Sequence, residues 1–120
     1  MNSSIKNSVQ LIGNIGKDLN LASFENGSKK LSFVLATNDF FTNNKGEKVK
    51  QTEWHNLVAW GKTAEIMSES LSKGSEVAIQ GKLTNRSYEG KDGLTKYITE
   101  VVVNEFFKIA RAAKEVETIV

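Results

Sequence analysis

The 120-residue sequence predicts a single all-β domain with one helix. Three observations carry this reading. Apolar residues fall in short alternating blocks rich in Val, Ile, Leu and Phe. Gly and Asn punctuate those blocks. A single mid-chain stretch switches to helical spacing. Proline is absent, so the turns fall to Gly, Asn and Asp.

The elements follow in order. Residues 9–15 (Val-Gln-Leu-Ile-Gly-Asn-Ile) read as a strand, with Gly13 marking a bend or bulge. Residues 21–24 and 31–40 flank Glu25-Asn26-Gly27-Ser28 and read as a hairpin around an Asn-Gly turn. Residues 41–50 are polar and basic with Gly46 near the tip, and read as a long exposed hairpin loop. Residues 52–60 form the next strand. Trp60, Ala64, Met67 and Leu71 then recur at helical spacing, and Lys73-Gly74 supplies a stop. A strand over 76–86, a loop with Gly90 and Gly93, and a strand over 96–103 complete the domain. The order is read as β-β-β-α-β-β, with the helix between strands 3 and 4. That arrangement describes the OB-fold, a five-stranded Greek-key barrel whose open face and loops bind oligonucleotides in many proteins.

The bulk properties exclude several function classes. A chain 39% hydrophobic and 25% charged is an ordinary globular one and not a disordered one. There is no cysteine, which rules out disulfides and thiolate metal sites and fits a reducing cytoplasm. Residues 1–8 lack the apolar core of a secretory signal, and no apolar run approaches the ~18 residues of a membrane helix. The expected location is therefore cytoplasmic, with no membrane partner. Net charge is only +2, so a polyanionic ligand requires the basic residues to be arranged on one surface.

Catalysis finds little support. His55 is the only histidine, and beside Glu53 on the same strand face it reads as one half of a structural pair. Gly61-Lys62-Thr63 resembles the end of a phosphate-binding loop, but the earlier glycine of that motif would fall at Asn56. No cofactor or metal is expected.

The aromatic residues are more informative. Trp54 and Trp60 are an even number of residues apart on one strand, hence on one face and roughly 20 Å apart. Either alone could be core. Phe41 opens the basic loop, and Tyr88 stands beside Arg86 in a polar stretch, where neither has an obvious core to join. Every base has a π-face, so aromatic platforms hold single strands without asking which base is present. Lys45, Lys48, Lys50, Lys62, Lys73, Lys82 and Arg86 interleave with these rings and would neutralise phosphates. Singly each is an ordinary surface charge; together with the rings they point to single-stranded nucleic acid.

Several motifs in combination resemble the bacterial single-stranded DNA-binding protein family. They are residues 9–18 (Val-Gln-Leu-Ile-Gly-Asn-Ile-Gly-Lys-Asp), Leu35-Ala36-Thr37, Thr52-Glu53-Trp54-His55-Asn56, Trp60-Gly61-Lys62, Lys73-Gly74-Ser75, Gly81-Lys82-Leu83 and Thr99-Glu100-Val101-Val102-Val103. The resemblance implies an OB-fold, homotetrameric assembly, and wrapping of single-stranded DNA in replication, recombination and repair. It implies that Phe41, Trp54, Trp60 and Tyr88 are the base-stacking set, and that His55 lies near a subunit interface. Family members commonly carry tryptophan at the positions of Phe41 and Tyr88, often phenylalanine at that of Trp60, and proline where Leu19 stands. Typical members also end in a long linker and an acidic tip that recruits replication and repair enzymes. This sequence ends at Glu117-Thr118-Ile119-Val120 and resembles the short, tail-less members, so tail-mediated partners are not expected.

The expected division is a DNA-binding domain over residues 1–105 and a short segment over 106–120. Within 104–120, Phe106, Ile109, Ala113, Val116 and Val120 recur at helical steps, so the end is read as an amphipathic helix that docks on a barrel or a neighbouring subunit, or as a frayed terminus. The leading reading is a non-catalytic cover for single-stranded DNA. Two rivals remain at this point: a replication-restart accessory protein on the same fold, and an interaction module whose aromatics are interface core. A nuclease is the weakest, because the acidic residues are dispersed.

Overall fold

Alternation along the strands builds the core. The computed structural model describes residues 4–109. On β3 (Lys29–Thr42), Leu31, Phe33 and Leu35 are buried while Ser32 and Val34 between them stay partly exposed. β4 (Lys48–Trp60) adds Leu57 and Ala59, β5 (Glu76–Glu89) adds Val77 and Ile79, and β6 (Thr95–Lys108) adds Val101 and Val103. With Ile15 from β1 (Val9–Ile15) these side chains fill one interior. Each large apolar side chain so buried contributes about 1.5–3 kcal/mol.

The strands run β1-β5-β6-β4-β3, and the short β2 (Asn20–Ser23) is attached to β3. β1 also pairs with β3 through Asn14↔Ala36 and Ile15↔Leu35, which closes five strands into a barrel. Gly13 stands at this closure because a Cβ there would overlap the carbonyl oxygen of Ala36. All pairings are antiparallel except β4 with β6, which is parallel at Leu57↔Val101 and Val58↔Val102. The OB-type barrel with one helix is as the sequence indicates. Because β2 is a separate four-residue strand, the helix follows the fourth strand in the chain.

The helix α1 (Gly61–Ser70) buries Ala64 and Met67, and Leu71 just beyond it completes the plug of the barrel end. Trp60 is its N-cap in extended backbone, so its ring belongs to β4 and not to the helix face. The helix stops before the anticipated Lys73-Gly74, which forms a separate turn with Ser75 N–H donating to the Ser72 carbonyl. Among the described residues no helix is long and apolar enough to cross a membrane.

Three hairpin turns use one device. In residues 24–28, 43–47 and 90–94 the first and last residues pair across the turn, and the fourth, Gly27, Gly46 or Gly93, donates back to the first. Each of these glycines has a positive φ of 80° or more, as a type I turn closed by a glycine bulge requires. Such compact turns leave little loop, and this corrects two expectations. Residues 41–50 are not a long loop: the β3–β4 ladder runs out to Thr42↔Lys48. The β5–β6 ladder likewise reaches Glu89↔Thr95 and includes Tyr88. The strand-favouring side chains of Phe40, Phe41, Thr42 and Val49 carry the first ribbon outward despite its polar composition.

The C-terminal expectation also changes at its start. Residues 104–108 continue β6, with Phe106 opposite Ile79 and packed on the core, so the barrel extends past residue 105. Cross-strand pairing there outweighs the helical spacing of Phe106 and Ile109. The remainder of the proposed helix, residues 110–120, lies outside the described residues.

Candidate nucleic-acid interface

The β3–β4 register decides which side chains share a face. Trp54 stands opposite Ala36, Asn56 opposite Val34, and Trp60 opposite Lys30, all outside the barrel. Trp54 is 60% exposed and Trp60 47% exposed, so neither ring is core within this chain. Val58 shares the face but is buried, where β6 runs beside β4 and places Val102 next to it.

Trp54 has a built seat. Its ring lies across Gly16, where a Cβ would overlap Cζ3. Gly16 is fixed by its N–H donating to the Val34 carbonyl at 2.9 Å. One side of the indole is thus backed by main chain while the other is open to a ligand.

Trp60 is differently placed. Phe24, from the β2–β3 turn, lies near-parallel to it at 26°, with ring centroids 6.4 Å apart. Lys30 Nζ is 5.4 Å from the Trp60 ring centroid. Cations at this distance are attracted to the ring quadrupole.

The β5–β6 ribbon forms the second wall. Parallel pairing of β4 with β6 aligns the two ribbons at their roots, and no strand pairing joins them further out. A cleft of about 290 Å³ lies between them, lined by Ser32, Val34, Asn56, Arg86, Ile98 and Glu100 with Lys17, Asp18 and Asn20 at its side. Glu100 is only 6% exposed, and Arg86 Nε donates to its Oε1 at 2.6 Å. That hydrogen bond and the carboxylate charge raise the Arg86 pKa above its ordinary value. The guanidinium also stands 6.0 Å from the Tyr88 ring centroid. Arg86 is therefore partly committed inside the protein: it neutralises Glu100 and props Tyr88, leaving less of its charge for a phosphate.

The anticipated lysines divide by position. Lys48 and Lys50 lie on the Trp54 face of the β3–β4 ribbon. Lys82 continues the outer row of Val58 and Val102. Lys45 is at the ribbon tip, Lys62 in the first turn of α1, and Lys73 in the turn after it, all exposed.

Phe41 is not brought to the tryptophans. It pairs with Val49 and so faces the opposite side of the ribbon. Its neighbour Phe40 pairs with Lys50, shares the Trp54 face, is 59% exposed, and has Lys48 Nζ 5.6 Å from its ring centroid. Phe40, Phe24 and Lys30 are the residues the sequence reading missed. Counting in twos from the partner of Trp54 would have found Phe40, had residues 41–50 been read as strand.

His55 Nε2 and Thr37 Oγ1 on the adjacent strand share a 2.9 Å hydrogen bond. The suggested pairing with Glu53 is replaced by this bond. Among the described residues no group of three or more His, Cys, Asp or Glu is arranged to hold a metal ion.

Comparison with known proteins agrees with this geometry. The single-strand binding protein family matches residues 6–109. Single-stranded DNA-binding protein 1 of Chlorobaculum tepidum is 42% identical over 100 residues, covering 82% of this chain and 62% of that protein. The single-stranded DNA-binding protein of Neisseria meningitidis serogroup A is 37% identical over 99 residues, covering 82% and 57%. The chain thus spans about three-fifths of the length of these curated relatives. Among solved structures, a Plasmodium falciparum SSB complex with ssDNA superposes with a TM-score of 0.79 at 28% identity, over 92% of this chain and 100% of that one. A deletion mutant of the single-stranded DNA binding protein from Thermus aquaticus gives 0.75 at 27% identity, over 88% and 51%. With the family matched across almost the whole described length and relatives this close in sequence, the chain belongs to the single-strand binding protein family.

Proposed function

We propose that this protein binds single-stranded DNA with little regard for sequence and covers it without catalysing any reaction. The observation that carries this is the exposed row of rings on one face of the β3–β4 ribbon, with Tyr88 exposed beside Arg86 on the β5–β6 ribbon. Stacking on such rings is worth about 1–3 kcal/mol per base and does not discriminate between bases. Trp54, Trp60 and Tyr88 stack bases in this reading, Phe41 touches the strand from the reverse face of the ribbon, and Lys45, Lys48, Lys50, Lys62, Lys73 and Lys82 contact phosphates. Arg86 acts mainly by holding Tyr88. The rival reading of an interaction module needs Trp54 and Trp60 as buried interface core, and protection of both rings from a soluble quencher in the unliganded assembly is the result that would favour it.

Self-association into a homotetramer belongs to the same proposal. Ile12, Ala78 and Phe107 stand in one cross-strand row, with Ile12 and Phe107 largely exposed beside a hollow of about 320 Å³. That apolar face is on β1, β5 and the end of β6, away from the tryptophans, and suits a second copy of the chain. His55 acts near a subunit contact. The setting in this reading is DNA replication, recombination and repair, where single strands are exposed, and the cysteine-free composition fits a reducing cytoplasm.

The test is a titration of the full chain with oligothymidine, read by Trp54 and Trp60 fluorescence. Strong quenching that weakens with salt is expected, log K falling by about 0.7 per phosphate contact against log salt. No quenching and no retention on single-stranded DNA would sink the proposal. Mass measurement of the free and bound protein gives stoichiometry and assembly.

A further inference from the structure

We infer that Phe24 and Lys30 complete, with Trp60, a separate nucleotide subsite at the foot of β4, where one unpaired base stacks and its phosphate meets Lys30. The inference rests on the single-strand-binding reading above and extends the strand's path past the barrel face to the β2–β3 turn.

Three observations converge there. First, Phe24 and Trp60 lie nearly parallel at 26°, yet each remains 47% exposed. A pair formed only to shelter two rings would bury more of both. Their 6.4 Å centroid separation is at the long end for a contacting ring pair. Second, an open hollow of about 620 Å³ lies against both rings, lined otherwise by Glu25, Asn26 and Ser28. Third, Lys30 is fixed by strand register directly opposite Trp60 and brings its ammonium to 5.4 Å from the ring centroid. A base on these rings would carry its phosphate into reach of that ammonium.

The subsite is preorganised. Phe24 N–H donates to the Ser28 carbonyl and Gly27 N–H to the Phe24 carbonyl, each at 2.9 Å, while Asn26 Oδ1 accepts from Ser28 N–H at 3.0 Å. The turn that carries Phe24 is thus locked before ligand arrives, and little ordering entropy is lost on binding. Trp54 has main chain beneath it at Gly16 and one open side. Trp60 instead offers a two-ring site with its own cation, so the two tryptophans hold the strand differently.

The experiment uses the full chain and oligothymidine of increasing length, comparing the parent protein with Phe24→Ala, Phe24→Leu, Phe24→Tyr and Lys30→Gln. Phe24→Ala and Phe24→Leu should each weaken binding about five- to tenfold, within the worth of one stack. Phe24→Tyr should bind as the parent does. Lys30→Gln should lower the salt slope by about 0.7, the signature of one lost phosphate contact. Leucine preserves apolar cover for Trp60, so a loss with Phe24→Leu is not a folding effect. Parent-like binding by Phe24→Leu, or an unchanged slope in Lys30→Gln, overturns the subsite while leaving single-strand binding intact. Failure of the parent protein to bind oligothymidine overturns both.

Discussion

Gly16→Ala separates the seat of Trp54 from the stability of the barrel. A Cβ at position 16 would overlap Trp54 Cζ3 and lie 3.2 Å from Cε3 and Cη2. Carbon contacts settle near 3.5–4.0 Å, so the indole must shift by roughly 1 Å or more. The ring is 60% exposed and free to swing toward solvent, at a cost of about 0.5–1.5 kcal/mol in rotamer strain. Stability should therefore fall by no more than ~1.5 kcal/mol. The open face of the indole is then misaligned, and part of one base stack of about 1–3 kcal/mol is lost, giving roughly fivefold weaker binding. Gly13→Ala is the contrasting control. Its Cβ would overlap the Ala36 carbonyl, main chain locked in the pair that closes the barrel, and nothing there can swing aside. Overpacking against immobile backbone should cost ~3 kcal/mol or more. Urea unfolding measures the stabilities, and oligothymidine quenching measures binding, with Trp54→Ala as the ceiling. The reasoning is refuted if Gly16→Ala binds like the parent while Trp54→Ala is impaired, or if Gly16→Ala loses as much stability as Gly13→Ala.

Three further outcomes are expected. Phe40→Ala should weaken oligothymidine binding more than Phe41→Ala, because only Phe40 shares the Trp54 face; the reverse order would show that the ribbon turns its other side to the strand. Arg86→Ala leaves the buried Glu100 carboxylate without its partner and should cost about 2 kcal/mol, below the full price of a buried pair because Arg86 is itself half exposed. An unchanged thermal midpoint for that variant would count against it. Asn7→Ala removes the side-chain amide that both accepts from Leu83 N–H at 2.8 Å and donates to the Leu83 carbonyl at 3.0 Å, so stability should drop by about 1 kcal/mol and the Leu83 amide should exchange faster with solvent. Parent-like exchange at Leu83 would contradict this.

How far the site was legible depended on whether its signal was periodic or spatial. Trp54 and Trp60 could be placed on one face from sequence, because strand period is two and both lie on one strand. The face of Phe41 could not be read for a related reason: polar composition makes residues 41–50 look like loop, where parity carries no meaning. Cross-strand pairing out to Thr42↔Lys48 restored that parity and moved Phe40 onto the tryptophan face. The C-terminal part of β6 shows the same competition. Phe106 and Ile109 fit a helix by spacing, but an unpaired edge of β5 was available, and backbone hydrogen bonds to it prevailed.

Arg86 marks the limit of composition. As one cation in a basic set it reads as a phosphate ligand. Its partner Glu100 is 14 residues away on the neighbouring strand, buried, and invisible to any local pattern. Phe24 was hidden likewise, since an aromatic beside an Asn-Gly turn gives no hint of which ring it will meet.

By itself, then, the sequence determined the OB-type barrel, the helix that follows Trp60, the placing of both tryptophans on one strand face and the family, because alternation, turn residues and motifs are local properties of a chain. Only the tertiary structure decided how the rings work together. It set Trp54 on Gly16, Phe24 beside Trp60, Phe40 in place of Phe41 on the shared face, and Arg86 against Glu100. Those contacts join residues distant in sequence, and their geometry follows from strand register and barrel closure, which exist only once the chain has folded.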